Sequence, residues 1–420
     1  MLKVLNTQLP LLETYQISNP LIRWTEITAP TSGYSSFQDS GLFDGEFWYC
    51  FFTTENSFKC FDIRELMGEE VYTKVINLQA TIVLDLSFEP FLNAIDSIYT
   101  DVVIKHAIPA SQVIFLSNMY DAGNYNFIIA NKFNQQPIKT FWFSALEFHA
   151  RSYLIHFKDY LPITLEFKTY EKKFLNLNRR WRSHRPVLTT ILYYKKLLEK
   201  GFVSFGPAGE PNNSWREVLP FMKNLVADNQ EILSIIEKSS DIINLEPLYL
   251  DTNELHINRA ELSWSTNFYY ENSYFSVVSE TTFYKRNQKQ SSRFITEKTF
   301  KAIAMSHPFI LVTIPNSLDV LKEIGYKSFS PWINESYDCE QDDHKRMLMI
   351  VQEIERLCNL SNNELNDFLI ATKEICKYNY DVLNSKTKFV ICMIFLKMNL
   401  VDLMKYITLT EIEKIMTYLI

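Results

Sequence analysis

The sequence predicts an α/β protein built from two parallel-sheet halves and a helical C-terminal extension. Three observations carry this. Short apolar runs of strand length alternate with helical spacing over residues 47–143, the same alternation restarts near residue 170, and Leu, Ile and Met recur at three-four spacing from about Met347 onward. A chain of 420 residues is also too long for one core.

Taken in order, residues 47–52 read as a strand and 81–86 (TIVLDL) as a continuous apolar strand. Residues 89–104 have helical spacing, and Ile108-Pro109 leads into a buried strand at 113–116 (VIFL) that ends in Ser117-Asn118. A strand at 139–143 closes this first half. In the second half, residues 173–177 (KFLNL) form a strand, NRRWRSHRP a polar loop, and 187–200 a helix. Strand-like segments recur at 202–205, 248–250 and 275–279, and a helix at 297–305 precedes a very apolar strand at 308–314. The implied division is 1–170, 171–330 and 331–420.

Hydrophobic residues make up 47% and charged residues 22%, a globular balance that excludes a disordered chain. Aromatics at 15% suit large cores, and only 9 glycines argue against a fold rich in glycine turns. No apolar run approaches the length of a membrane span. The start, MLKVLNTQLPLLETY, lacks a basic region followed by an apolar stretch, so a cytoplasmic protein is expected. The six cysteines are scattered, with no CxxC and no His at ligand spacing, and read as reduced core thiols. His149, His156 and His256 likewise have no companion at ligand spacing. A net charge of −7 argues against a general nucleic-acid binder.

Two segments carry chemistry. Residues 178–185 (NRRWRSHR) place Arg179, Arg180, Arg182, Arg185 and His184 between a strand and a helix, with Pro186 suited to the first helical position. Arginines beside a helix N-terminus stabilise an anion through charge, dipole and bidentate hydrogen bonds together. The plainer reading is a solvated basic loop. In residues 291–309 (SSRFITEKTFKAIAMSHPF), Thr296 is an N-cap for a helix starting at Glu297. Glu297 could accept from sugar hydroxyls and Lys298 donate to a diphosphate; equally, Glu297 and Lys301 could be an ordinary i,i+4 pair. Of the remaining segments, 332–338 reads as the join to the tail and Asp342-Asp343-His344 as a solvated helix start.

The order strand, arginine loop, helix, then YFSVVSE and FITEKTFKAIAMSHPFI, resembles the donor-binding half of the family 10 fucosyltransferases over residues 172–329. The chain is also similar to uncharacterised proteins of large tailed phages, which share NRR-x-R-x-HR, TEKTFK and W-x-x-ESYD. The first resemblance implies a GT-B glycosyltransferase, with two Rossmann-like domains facing a cleft and the nucleotide sugar on the second. It makes Arg185, or Arg182, the diphosphate arginine, Glu297 the carboxylate on donor hydroxyls, Lys298 the diphosphate lysine and Glu280 the strand-end glutamate. Thr281 and Phe294 depart from the family pattern, and residues 284–292 look inserted; these bear on fucose and GDP more than on the fold.

With no D-x-D in the sequence, the leaving diphosphate is expected to be neutralised without metal or cofactor, by Arg179, Arg180, Arg182, Arg185, Arg293, Lys298 and Lys301. An inverting transfer needs a base on the first half: Glu89 first, then Asp85 and Glu147, against the ordinary reading of strand-end acids as helix caps. The expected partners are a nucleoside-diphosphate sugar and an acceptor hydroxyl on a glycan, a protein or a modified DNA base. The competing readings are a non-catalytic nucleic-acid groove lined by 172–200 and 285–301, and a degenerate GT-B domain kept for structure.

Overall fold

Burial on both faces explains why residues 82–86 and 113–116 read as nearly unbroken apolar runs rather than alternating ones. The computed structural model describes residues 3–6, 46–51, 62–86, 93–142, 146–147, 168–178, 182–205, 215–245, 248, 250, 267–285 and 292–397. The first half contains β1 (Lys3–Asn6), β2 (Glu46–Phe51), α1 (Ile63–Ile76), β3 (Ala80–Leu86), α2 (Asn93–Ser97, continued by a π-helical stretch Ile98–Ile104), β4 (Val113–Ser117), α3 (Ala122–Lys132) and β5 (Lys139–Trp142). These five strands lie in chain order and every neighbouring pair is parallel. Between β3 and β4 the register runs from Ile82 opposite Val113 to Leu86 opposite Ser117, so both strands end at one edge. Helices α1 and α3 were not expected. Gly68 interrupts α1 at φ 75° and ψ 163°, which hid its period.

The second half contains β6 (Lys172–Asn178), α4 (His184–Tyr194), β7 (Gly201–Phe205), α5 (Trp215–Leu225), α6 (Gln230–Lys238), α7 (Asn267–Glu271), β8 (Ser273–Ser279), α8 (Glu297–Ala304), β9 (Phe309–Val312) and α9 (Ser317–Glu323). Its strands are again all parallel, in the order β7-β6-β8-β9. Where a strand is expected at 248–250, the described residues show an antiparallel bridge from Leu248 to Phe205 and a bend at Leu250. The helix expected from Val187 starts earlier, at His184, so Pro186 sits inside its first turn, where a missing N–H costs nothing. α10 (Asp343–Cys358) and α11 (Asn362–Lys397) follow, and the Asp342 carboxylate caps α10 by accepting from Lys345 N at 2.8 Å. Their buried faces, from Met347 to Leu383, join the core of the second sheet and form no separate one. Cys358 and Cys376 are buried free thiols as expected, whereas Cys339 is exposed. Among the described residues no helix is long and apolar enough to cross a membrane.

Two core positions give direct tests. A Cβ on Gly201 would lie 2.4–2.7 Å from the Phe174 ring, which is fully buried on the neighbouring strand. Gly201→Ala is expected to cost about 1–3 kcal/mol in urea unfolding, because the fully buried ring must shift to admit the methyl; a neutral substitution would show a looser core.

His307 is buried between α8 and β9, its Nε2 donating to Ser273 O at 2.9 Å and its Nδ1 accepting from Ser276 Oγ at 2.7 Å, since a carbonyl can only accept. Burial holds it down at about 4, against an ordinary 6.5, with the Ser273 hydrogen bond opposing. A depressed folded-state value means a contribution complete above pH 6.5 and lost as pH falls toward 4. Asp338 works in the opposite sense: burial raises it to about 7, a penalty that grows as pH rises through the same window. Comparing variants separates the two. The stability gap between the wild type and His307→Gln should shrink by about 2 kcal/mol between pH 7.5 and pH 5. A gap that stays constant would mean the imidazole titrates alike in the folded and unfolded states, and a gap that widens would mean the fold favours the charged ring.

Candidate functional site

Chain order and sheet order agree in the first sheet, so its described strands create no point where the winding reverses. They disagree in the second. The chain leaves β6 for β7 on one side, then crosses back to β8 on the other. Such a reversal opens a crevice at the carboxyl ends of the two central strands, where α/β sheets bind ligands. Here those ends are Asn178 on β6 and Ser279, followed by Glu280, on β8.

The arginine loop follows β6 directly. Arg185, on the first turn of α4, is 2% exposed, and its Nη2 donates to Ser279 O at 2.9 Å and Glu280 O at 3.4 Å across the crevice. Burial lowers its pKa to about 10, helped by the Arg182 charge and opposed by Glu280 and Glu297, so it stays cationic at neutral pH. His184 is held well below its ordinary range, first by burial and then by the Arg185 and Arg182 charges. It stacks on Phe283 at 5.4 Å as a neutral ring and supplies no charge to an anion.

Glu280 is fully buried and works as a staple. Oε1 accepts from Thr296 N at 2.9 Å and Thr299 Oγ1 at 2.6 Å, and Oε2 accepts from Thr296 Oγ1 at 2.5 Å. The carboxyl end of β8 is thereby fixed to the start of α8. Thr296 also caps α8, its Oγ1 accepting from Lys298 N at 3.3 Å. Glu297 and Lys298 stand at the rim, 46% and 31% exposed, paired with each other at 2.8 Å, and Lys298 Nζ also reaches Thr296 Oγ1 at 3.0 Å. Arg182, Arg185, Glu280, Thr296, Glu297 and Lys298 are therefore gathered at one strand edge, with the N-termini of α4 and α8 beside them.

The other expected residues are placed differently. Lys301 lies one turn along α8, its Nζ 5.7 Å from the Tyr270 ring, which precedes β8 at the opposite sheet edge. Arg293 is engaged by Asp121 of the first half, with Nη2 at 2.5 Å from Oδ1 and Nε at 3.2 Å from Oδ2, and it lies over the Tyr120 ring at 4.3 Å. Asp85 is fully buried near the end of β3. Glu147 is buried and accepts from Tyr326 OH at 2.7 Å, joining the two halves. Glu89, Arg179, Arg180, His149, His156 and His256 lie outside the described residues.

Sequence reasoning missed three contributors. Asn176 and Asn178 are fully buried on β6: Asn176 Nδ2 donates to Val277 O at 2.6 Å, and Asn178 Nδ2 to Asn176 Oδ1 at 2.5 Å. The signal was present, two asparagines at period two on one face of an otherwise apolar strand. Arg346 on α10 is 1% exposed and donates to Thr313 O at 3.0 Å and Phe283 O at 2.7 Å, tying down the turns that leave β8 and β9. Nothing local in the sequence marks it. Among the described residues no group of three or more His, Cys, Asp or Glu gathers as a metal site.

No family model matches the chain, and no curated protein does. Among solved structures it is similar to the N-terminal domain of trehalose-6-phosphate phosphatase from Candida albicans, at 11% identity over 86% of this chain and 72% of that one. The TM-score is 0.38, a likeness too slight to carry an argument about fold or function.

Proposed function

We propose that the chain is a GT-B glycosyltransferase that moves a sugar from a nucleoside-diphosphate donor to an acceptor hydroxyl. The observation that carries the reading is the meeting, at the reversal point of the second sheet, of a buried arginine, a rim lysine and a rim carboxylate beside two helix N-termini. A diphosphate needs cations and N–H donors, which Arg185, Lys298 and the start of α8 supply. A sugar needs hydroxyl acceptors, and the half-exposed Glu297 carboxylate would be one. In the transfer, the acceptor oxygen forms its bond to the anomeric carbon as the bond to the diphosphate oxygen breaks. The charge that develops on the leaving nucleoside diphosphate is met by Arg185 and Lys298. The acceptor proton passes to a carboxylate of the first half, for which Glu89, Asp85 and Glu147 remain the candidates. No metal or cofactor enters the proposal.

Along 172–200 the described basic side chains give the nucleic-acid reading less support. Lys172 and Lys173 open β6, whereas the arginine loop follows its end, and seven strand residues separate these edges by about 20 Å. Lys195 is paired with Glu355, and Lys200 Nζ donates to Asn359 Oδ1, both toward the helical tail.

The test is a metal-free thermal-shift panel of GDP, UDP, CDP, ADP and their sugar conjugates. A ligand at a hundredfold excess over its dissociation constant stabilises by about 2.7 kcal/mol. One nucleotide should raise the melting temperature, and Lys298→Ala should remove most of that rise. Folded protein that responds to none of them would sink the donor-site reading.

A further inference from the structure

The start of α8 is tied to the second sheet by Glu280, but the segment leading into it is anchored elsewhere. Phe294 is 2% exposed and packs in the core of the first sheet, with Met119 and Leu146. Arg293 is gripped from the same side: its backbone N–H donates to Asp121 Oδ2 at 2.9 Å, its carbonyl accepts from Tyr120 N at 3.0 Å, and its guanidinium takes both Asp121 oxygens. Asp121 N in turn donates to Ser292 Oγ at 3.0 Å.

Asp121 occupies the N-cap position of α3, where a carboxylate ordinarily accepts from the second or third helical N–H. It makes no such bond, and its oxygens are turned to Arg293 instead. The sequence thus forgoes a cap in the first half to hold a segment of the second. That segment reaches Thr296, Glu297 and Lys298 within five residues.

We propose that Asp121 is a positioning residue for the nucleotide site: by fixing Arg293 it sets where the rim of α8 stands. The proposal rests on the nucleoside-diphosphate reading above. It makes the donor site a product of both halves, so a change on the first sheet's side should weaken a ligand bound by the second.

The test titrates GDP, UDP, CDP and ADP against the full chain as wild type, Asp121→Ala, and the charge-swapped pair Asp121→Arg with Arg293→Asp, with hydrogen exchange followed over residues 294–300 in the ligand-free protein. Asp121→Ala should bind the preferred nucleotide at least tenfold more weakly and exchange faster over 294–300. The swapped pair restores the side-chain ion pair but not the carboxylate that accepts from the backbone N–H of residue 293, so it should recover part of both, which a merely structural loss would not allow. Equal binding by wild type and Asp121→Ala, or unchanged exchange over 294–300, overturns the proposal. Absence of binding in the wild type overturns the functional reading instead, and exchange still decides whether Asp121 holds the rim.

Discussion

Glu280→Ala is expected to be the most damaging single substitution at the site, costing about 3–5 kcal/mol of stability. The carboxylate is fully buried and accepts three hydrogen bonds from Thr296 and Thr299. Its removal leaves a backbone N–H and two hydroxyls buried without an acceptor, each worth roughly 1–3 kcal/mol when stranded. It also frees the start of α8 from β8. Glu280→Gln should be milder, at about 1–2 kcal/mol, because one oxygen still accepts and the hydroxyls can rotate to accept from the amide. Urea unfolding of the three proteins decides the matter. A cost under about 1 kcal/mol for Ala would mean that packing of Phe300 and Ile303, and not the staple, holds α8 in place.

This result bears on how sequence and structure divide the account of the site. The resemblance gives Glu280 as a strand-end glutamate, and the structure shows it spent on Thr296 and Thr299, positioning the rim instead of lying open to a ligand. Strands β3 and β4 were legible because burial on both faces leaves nearly continuous apolar runs, and β6 and β8 because short apolar stretches end in polar residues. The start of α8 was legible from Thr296, because an N-cap is a local signal. What escaped was non-local. The Asp121–Arg293 pair joins residues 172 apart, and Arg346 reaches back 33 and 63 residues to the carbonyls it holds. No periodicity or cap records such a contact. Arg293 read as a site cation because sequence shows charge but not the carboxylate that claims it. The order β7-β6-β8-β9, which locates the crevice, is likewise a property of how strands pair and not of any strand's composition.

Arg185 is the residue on which binding and folding should separate most clearly. It is nearly inaccessible, yet it keeps its charge, and its Nη2 spans the crevice to the carbonyls of Ser279 and Glu280. Arg185→Met replaces a desolvated cation with an apolar chain of similar length; the burial cost that disappears with the charge offsets part of the two carbonyl hydrogen bonds lost, so stability is expected to fall by only about 1 kcal/mol. On the proposed donor-site reading, nucleoside-diphosphate affinity should nevertheless fall about a hundredfold or more, since a phosphate loses a buried charged donor worth roughly 2–4 kcal/mol. Arg185→Lys keeps the charge but not the planar fork, so its ammonium cannot hold the Ser279 carbonyl and a phosphate in one plane; a loss of roughly tenfold is expected. Calorimetric titration beside urea unfolding distinguishes the outcomes. Affinity lost at nearly constant stability places Arg185 on the ligand. Stability lost at constant affinity makes it an anchor between the arginine loop and β8, and moves the diphosphate to Arg182 and Lys298.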